Sequence, residues 1–280
     1  MTFSIVATDG GAWGVAVASK FLGVGSAVPA AAVHVGAIAT QSWANLAYRP
    51  EGLALLRAGH TAEETVDRLT QADELRAERQ VGVVDGKGGA ATYTGTGCHA
   101  WAGGLTGSGP GDSAYAIQGN ILVGPQVIEA MEKAWLDSDA TVPLTRRLLA
   151  ALQAGDDAGG DRRGRQSAAL LVVTEAGGYG GGSDVFADLR VDDHEQPVAE
   201  LARLLDLHDI YFGKADPATA LPLRGDLEQE VRARLARLGH TAASLDTALA
   251  DWAGIENYEE RLLPGHIDPL VLAQLRAKTT

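Results

Sequence analysis

The stretch that most constrains this chain is its start, MTFSIVA, followed by Thr8-Asp9-Gly10-Gly11 and WGVAVAS over residues 13–19. Phe3, Ile5 and Ala7 alternate with Ser4, Val6 and Thr8, the period-two pattern of a strand. Asp9-Gly10-Gly11 is a hairpin signal, and WGVAVAS is the returning strand. Its small apolar residues on both faces predict burial inside a layered core. A chain that enters a strand at its second residue holds its head in fixed geometry.

That geometry gives Thr2 a chemical meaning. Removal of Met1 before a small residue leaves a threonine with a free α-amine. The hydroxyl is a nucleophile, and the amine is a base with a pKa of roughly 7.7–8.0 before any environmental shift. Such chemistry needs a cation that keeps the amine neutral by like-charge repulsion. It also needs N–H groups facing the developing oxyanion. Pairing residues 2–8 with 13–19 brings Lys20 back beside Thr2, to within a residue or two of register. Lys20 reads equally well as a surface lysine.

Further along, residues 29–40 form one or two apolar strands containing His34. They lead into the polar and aromatic patch Gln41-Ser42-Trp43-Ala44-Asn45, where Gln41 is a candidate substrate contact. Residues 50–59 and 61–72 read as a helical pair. The second opens on a capping box, Thr61 with Glu64 three residues on. Residues 80–96 read as a second hairpin and 101–111 as a glycine-rich connection.

Residues 115–124, YAIQGNILVG, read as a short strand, a polar Gln118-Gly119-Asn120 turn and the approach to a helix over 125–136. A turn feeding a helix exposes backbone N–H groups, so Gln118, Gly119 and Asn120 are candidate oxyanion donors and substrate contacts. Asn120 also fits a helix cap.

After a helix over 143–154, Asp161 and Ser167 flank a third strand start, where a carboxylate and a hydroxyl would orient the Thr2 amine. Arg162 and Arg165 would bind a substrate carboxylate, since arginine pairs with one bidentately. They also fit solvated loop charge, or pairing with Asp156, Asp157 and Asp161. Asp192-Asp193-His194 has metal-ligand residue types, but three consecutive residues converge poorly, so a loop is expected and no metal or other cofactor. Cys98 and His99 point to opposite faces if they lie on a strand.

Strands that come as hairpins, separated by helices, predict an α+β fold: a four-layer αββα sandwich of antiparallel sheets over residues 1–212. A linker at 213–222 contains Asp216-Pro217 and Pro222. A small helical module over 223–280 begins with EVRARLARLGH. The net charge, 23 − 36 = −13, argues against nucleic acid and anionic lipid as partners. One cysteine allows no intramolecular disulfide. No apolar run reaches the roughly 20 residues of a membrane span, and the head has no signal-peptide pattern. A cytoplasmic location is therefore expected.

The motifs MTFSIVA, GVAVASKFLGVG, AIATQSWAN, GLALLRAG, YAIQGNIL, GGDRRGRQSAALLVV and LRVDDHEQPVAELARLLDLH together resemble a bacterial and archaeal family of unknown function, placed among the N-terminal-nucleophile (Ntn) hydrolases with the proteasome β-subunit-like fold. That resemblance implies Thr2 as nucleophile and hydrolysis of a small-molecule amide through an acyl-enzyme. It implies the oxyanion turn in YAIQGNIL, Asp161 and Ser167 beside the threonine amine, and a homo-oligomer. Residues 223–276, including Leu235, Gly239, Trp252, Asn257 and Asp268, are similar to a peptidoglycan-binding-like domain. Wall binding and a packing or dimer role are both open for it.

Overall fold

A computed structural model describes residues 2–109 and 113–280. The expected removal of Met1 concerns residue 1, which lies outside the described residues. By internal contacts the chain divides into two compact units, residues 1–204 and 205–280.

In the first unit the elements are β1 (Thr2–Asp9), β2 (Ala12–Ser19), α1 (Val24–Ala27), β3 (Pro29–Ala32), β4 (Gly36–Ser42), α2 (Tyr48–Arg57), α3 (Ala62–Gln71), β5 (Arg79–Asp85), β6 (Ala90–Thr94), β7 (Gly103–Ser108), β8 (Ala114–Asn120), α4 (Gln126–Leu136), α5 (Leu144–Asp157), β9 (Ser167–Thr174) and β10 (Val185–Val191). The strands form two antiparallel sheets, one ordered β10-β9-β2-β1-β8-β7 and the other β3-β4-β5-β6. The hairpin register is Phe3↔Ala18 through Asp9↔Ala12, with Gly10 and Gly11 at positive φ in the turn. Their lack of a Cβ removes the steric cost of that conformation.

Side-chain alternation sorts the strand faces. Helices α4 and α5 pack on β8, β1 and β2. Helices α2 and α3 pack on β4, β5 and β6. The second contact buries Ile38, Val81 and Val83 with Tyr48, Leu56, Val66 and Leu69. Between the sheets lie Val6, Val15 and Val17 with Ala37, Ala39 and Val84. Burial of each of these valine side chains contributes roughly 1.5–3 kcal/mol. The capping box at α3 is present: Thr61 Oγ1 accepts from Glu64 N at 3.2 Å, and Glu64 accepts from Thr61 N at 3.0 Å.

Two expectations are corrected. The glycine-rich connection contains strand β7 at Gly103–Ser108, paired with β8; positions 110–111 of that connection lie outside the described residues. Its alternating exposure is that of a sheet edge with one covered face. Gln118-Gly119-Asn120 is not a turn. All three residues belong to β8 and pair with Ser4, Phe3 and Thr2. The chain turns one residue later, where Ile121 takes φ 50°.

Helix α6 (Pro197–Phe212) runs across the division between the units. The second unit continues with β11 (Leu221–Pro222), α7 (Asp226–Arg237), α8 (Leu245–Glu256), β12 (His266–Ile267) and α9 (Pro269–Lys278). Its strands form a two-residue ribbon, so the end of the expected linker pairs with Ile267 and His266. Val231, Leu235, Leu249, Trp252, Val271 and Leu275 build a separate core. Ser244 and Asp268 cap α8 and α9 through their side-chain oxygens. Among the described residues no helix is long and apolar enough to cross a membrane.

Candidate functional site around Thr2

Thr2 heads β1, a central strand of the larger sheet, and is 6% exposed. Its hydroxyl lies 3.1 Å from that of Ser19, at the end of the hairpin partner. Its carbonyl oxygen accepts from Gln41 Nε2 at 3.2 Å and from Asn120 Nδ2 at 3.5 Å. Gln41 is the penultimate residue of β4 in the facing sheet, and Asn120 ends β8. The residue after each has a left-handed backbone, Ser42 at φ 69° and Ile121 at φ 50°. Such conformations are uncommon outside glycine and end a strand abruptly.

The amides continue into a buried network between the sheets. Gln80 Oε1 accepts from Gln41 Nε2 at 2.8 Å and from Asn120 Nδ2 at 2.9 Å. Gln80 Nε2 donates to Gly119 O at 2.8 Å, Thr94 Oγ1 at 2.9 Å and Gly103 O at 3.2 Å. Ser4 Oγ donates to Gln41 Oε1 at 2.7 Å and accepts from Gln118 Nε2 at 2.6 Å. Sequence reading missed Ser19 and Gln80. Gln80 is a buried amide at the head of the apolar run Val81-Gly82-Val83-Val84, and a buried polar group needs partners.

The residues expected beside Thr2 separate into groups. Gln41, Gln118 and Asn120 converge, but their amides bond to Gln80, Ser4 and Thr92 and to the backbone. Gly119 is strand backbone whose carbonyl accepts from Gln80. Ser167 pairs with Ser19 on β9, two strand spacings from Thr2, or roughly 9.6 Å. Its hydroxyl accepts from Val24 N at 3.2 Å and donates to Phe21 O. Ser19, not Ser167, therefore stands against the Thr2 hydroxyl. Lys20 turns outward, its Nζ donating to Arg165 O at 3.2 Å.

Asp161 is fixed by Lys20 N at 2.7 Å and Arg163 N at 2.8 Å. Arg165 Nε bonds both oxygens of Asp156 at 2.8 and 2.9 Å, so the arginine pairing read from the loop is with Asp156. This bond holds the Arg165 guanidinium above its ordinary pKa. Arg162 is exposed. Ser19, Asp156, Asp161 and Arg165, with Phe3 and Ala18, line a small recess. Phe3 lies on the strand face that meets α5, close to where a Cβ on Gly155 or Gly160 would stand. The arginine and aspartate thus lie on the helix side of the sheet, and the glutamines lie between the sheets.

A second buried cluster holds the loop after β4. Asp73 accepts from Arg79 Nε at 2.8 Å, from Asn45 Nδ2 at 3.0 Å and from Tyr48 OH at 3.0 Å. The Arg79 hydrogen bond, aided by Asn45, Leu75 N–H and Tyr48, holds the Asp73 carboxyl well below the usual range against the opposing effect of burial. Burial first, and then Asp73, push the Tyr48 phenol up. Cys98 Sγ donates to Arg79 O at 3.3 Å. Asp193 accepts from Gln166 at 3.1 Å and His194 Nδ1 from Gln196 N at 3.0 Å, so these neighbours face different partners. Among the described residues no group of three or more His, Cys, Asp or Glu could hold a metal ion.

The comparisons with known proteins agree with this division of the chain. The model of the family of unknown function DUF1028 matches residues 2–201. The chain belongs to the DUF1028 family. The model described as "Putative peptidoglycan binding domain" matches residues 211–275. The crystal structure of protein SPO2555 from Silicibacter pomeroyi, itself matched to DUF1028, is similar at 31% identity with a TM-score of 0.65. The alignment covers 82% of this chain and 92% of that one. The curated proteins contain no match to the chain. This DUF1028 chain therefore carries its Thr2 site wholly within the family-matched region.

Proposed function

We propose that this DUF1028 protein is an N-terminal-nucleophile amidohydrolase that cleaves an amide bond of a small substrate through an acyl-enzyme on Thr2. The observation that carries the reading is the fixed head of β1: a nearly buried Thr2 with its hydroxyl 3.1 Å from Ser19 and its carbonyl held by two amides. The packing of α4 and α5, the two facing sheets, and α2 and α3 supports a four-layer αββα reading and placement among the Ntn hydrolases.

In this reading loss of Met1 frees the Thr2 α-amine. Thr2 Oγ1 adds to the substrate carbonyl carbon while its proton passes to the neutral amine. The C–N bond then breaks, the departing amine takes that proton, and an ester remains on Thr2. Water hydrolyses the ester and restores the hydroxyl. Ser19 is placed to relay the hydroxyl proton, and Lys20, the next residue, is the candidate cation. Homo-oligomerisation and a cytoplasmic location belong to the same proposal.

Intact mass and labelling test it. Purified native protein is expected to lack one methionine residue and to form an adduct on Thr2 with a broad acylating probe, with no adduct in Thr2→Ala. Full retention of Met1, or unchanged hydrolysis by Thr2→Ala, overturns the reading.

One observation favours a second reading, a non-catalytic binding protein whose C-terminal unit is the interaction part. The side-chain amides of Gln41, Gln118 and Asn120 are engaged within the protein, and Lys20 Nζ faces Arg165 O. A Thr2 adduct counts against it.

A further inference from the structure

We infer that Gln80 is the positioning residue for Thr2, acting through the two amides that hold its carbonyl. The inference rests on the nucleophile reading above for its catalytic consequence, and on the geometry alone for the hold itself. Gln80 is fully buried on β5. Its single Oε1 accepts from Gln41 Nε2 at 2.8 Å and from Asn120 Nδ2 at 2.9 Å. These are the same two nitrogens that reach Thr2 O. One oxygen therefore aligns both donors.

The other end of the Gln80 amide is equally committed, to Gly119 O, Thr94 Oγ1 and Gly103 O. Gln80 thus ties β1, β4 and β8 to β6 and β7 through one carboxamide. A carboxamide offers two acceptor lone pairs and two N–H donors, and every one of these has a partner here. Fully satisfied buried networks rigidify a core, whereas partly satisfied ones do not.

The consequence for Thr2 is directional. Its carbonyl fixes the Thr2–Phe3 peptide plane, and that plane sets where the Thr2 Cα carries its hydroxyl and nitrogen. Productive attack tolerates only about 0.5 Å and 10–20°. Neither Gln41 nor Asn120 needs to touch a substrate for this: both donors point at Thr2 O. Gln80 in turn touches neither Thr2 nor the hydroxyl, and acts only through them.

The test uses the full chain labelled with 13C at threonine carbonyls and 15N at phenylalanine. Thr2-Phe3 is the only Thr-Phe pair in the sequence, so a carbonyl–amide correlation spectrum shows one peak, which reads the hydrogen bonds to Thr2 O. In Gln80→Met this carbonyl peak is expected to move upfield. Gln80→Asn, which keeps an amide but withdraws it by one methylene, gives the same shift if the methionine variant fails to fold. Thr94→Val removes a partner from the far side of Gln80 and should leave the peak in place.

Acylation of Thr2 by a broad probe is expected to fall on the order of 10- to 100-fold in Gln80→Met, as a 1 Å misplacement would produce. It should stay near wild type in Thr94→Val. An unmoved Thr2 carbonyl in folded Gln80→Met or Gln80→Asn overturns the inference, as does an unchanged acylation rate. If wild-type Thr2 takes no probe, the nucleophile reading fails on its own and the carbonyl position alone decides for or against the Gln80 hold.

Discussion

The hydroxyl of Thr2 stands 3.1 Å from that of Ser19, its neighbour across the first hairpin. Ser167, which occupies the matching place on the next strand out, spends its hydroxyl on Phe21 O and Val24 N instead. The two serines should therefore separate in their effects. Ser19→Ala is expected to slow acylation of Thr2 by about 100-fold, the lower end for a lost proton-transfer partner, with little change in melting temperature. Ser167→Ala is expected to leave the acylation rate near wild type and to cost about 1–3 kcal/mol by stranding buried backbone groups. Thermal melts beside labelling rates distinguish them.

Asp73 and Arg79 form a buried pair, with side chains 10% and 8% exposed. Because the Asp73 pKa is depressed in the folded state, its contribution is present above the unfolded carboxylate value of about 3.9 and is lost as pH falls below it. Urea midpoints between pH 6 and 3 should fall less steeply in Asp73→Asn than in wild type. Arg79→Met leaves the carboxylate buried and unpaired, and should cost about 3–5 kcal/mol at pH 7.

Glu230 gives the contrasting surface case. Hydrogen bonds from Arg276, then Arg234, lower its pKa to about 2. The stabilisation is therefore present above about 4.3, the unfolded value, and is lost as pH falls toward 2. The Glu230 and Arg276 side chains are 29% and 50% exposed, so solvent screens the pair. Glu230→Gln should cost less than about 1 kcal/mol, and less still at high salt. Denaturant titrations at two salt concentrations check this.

Gly82 lies on β5, against Gln118 of the facing sheet. A Cβ there would lie 2.0 Å from Gln118 Oε1 and 2.5 Å from its Cδ. Gly82→Ala must displace Gln118, which also holds Ser4. A loss of about 1–3 kcal/mol is expected from overpacking, read by chemical denaturation.

The first hairpin was legible because alternation and Asp9-Gly10-Gly11 both sit within a few residues of each other. Register was legible only to a residue: the observed pairing puts Ser19 against Thr2, whereas Lys20 was expected there. In a strand that single step exchanges one face for the other. Strand β7 was hidden because Gly103, Gly104 and Gly107 carry no strand preference of their own; its partner β8 supplies the order. The polar run Gln118-Gly119-Asn120 suggested a turn because such groups need partners. The partners Gln41 and Gln80 come from the facing sheet, Gln41 77 positions from Gln118 and Gln80 40 positions from Asn120. No local pattern can register them. The C-terminal helices were legible as a module because their apolar spacing lies within the helices themselves, with Ser244 and Asp268 as their caps.

The pairing of Thr2 with Asn120 joins β1 to a strand that ends 118 positions later in the sequence (120 − 2). Contacts of such long sequence separation are slow to form. The hold on the Thr2 carbonyl draws on β4, β5 and β8 together, so it can assemble only after the nascent chain has delivered all three. Until then the Thr2 carbonyl lacks these partners. Reactivity at Thr2 would then report completed folding, and a labelled Thr2 would count natively folded molecules rather than total chains.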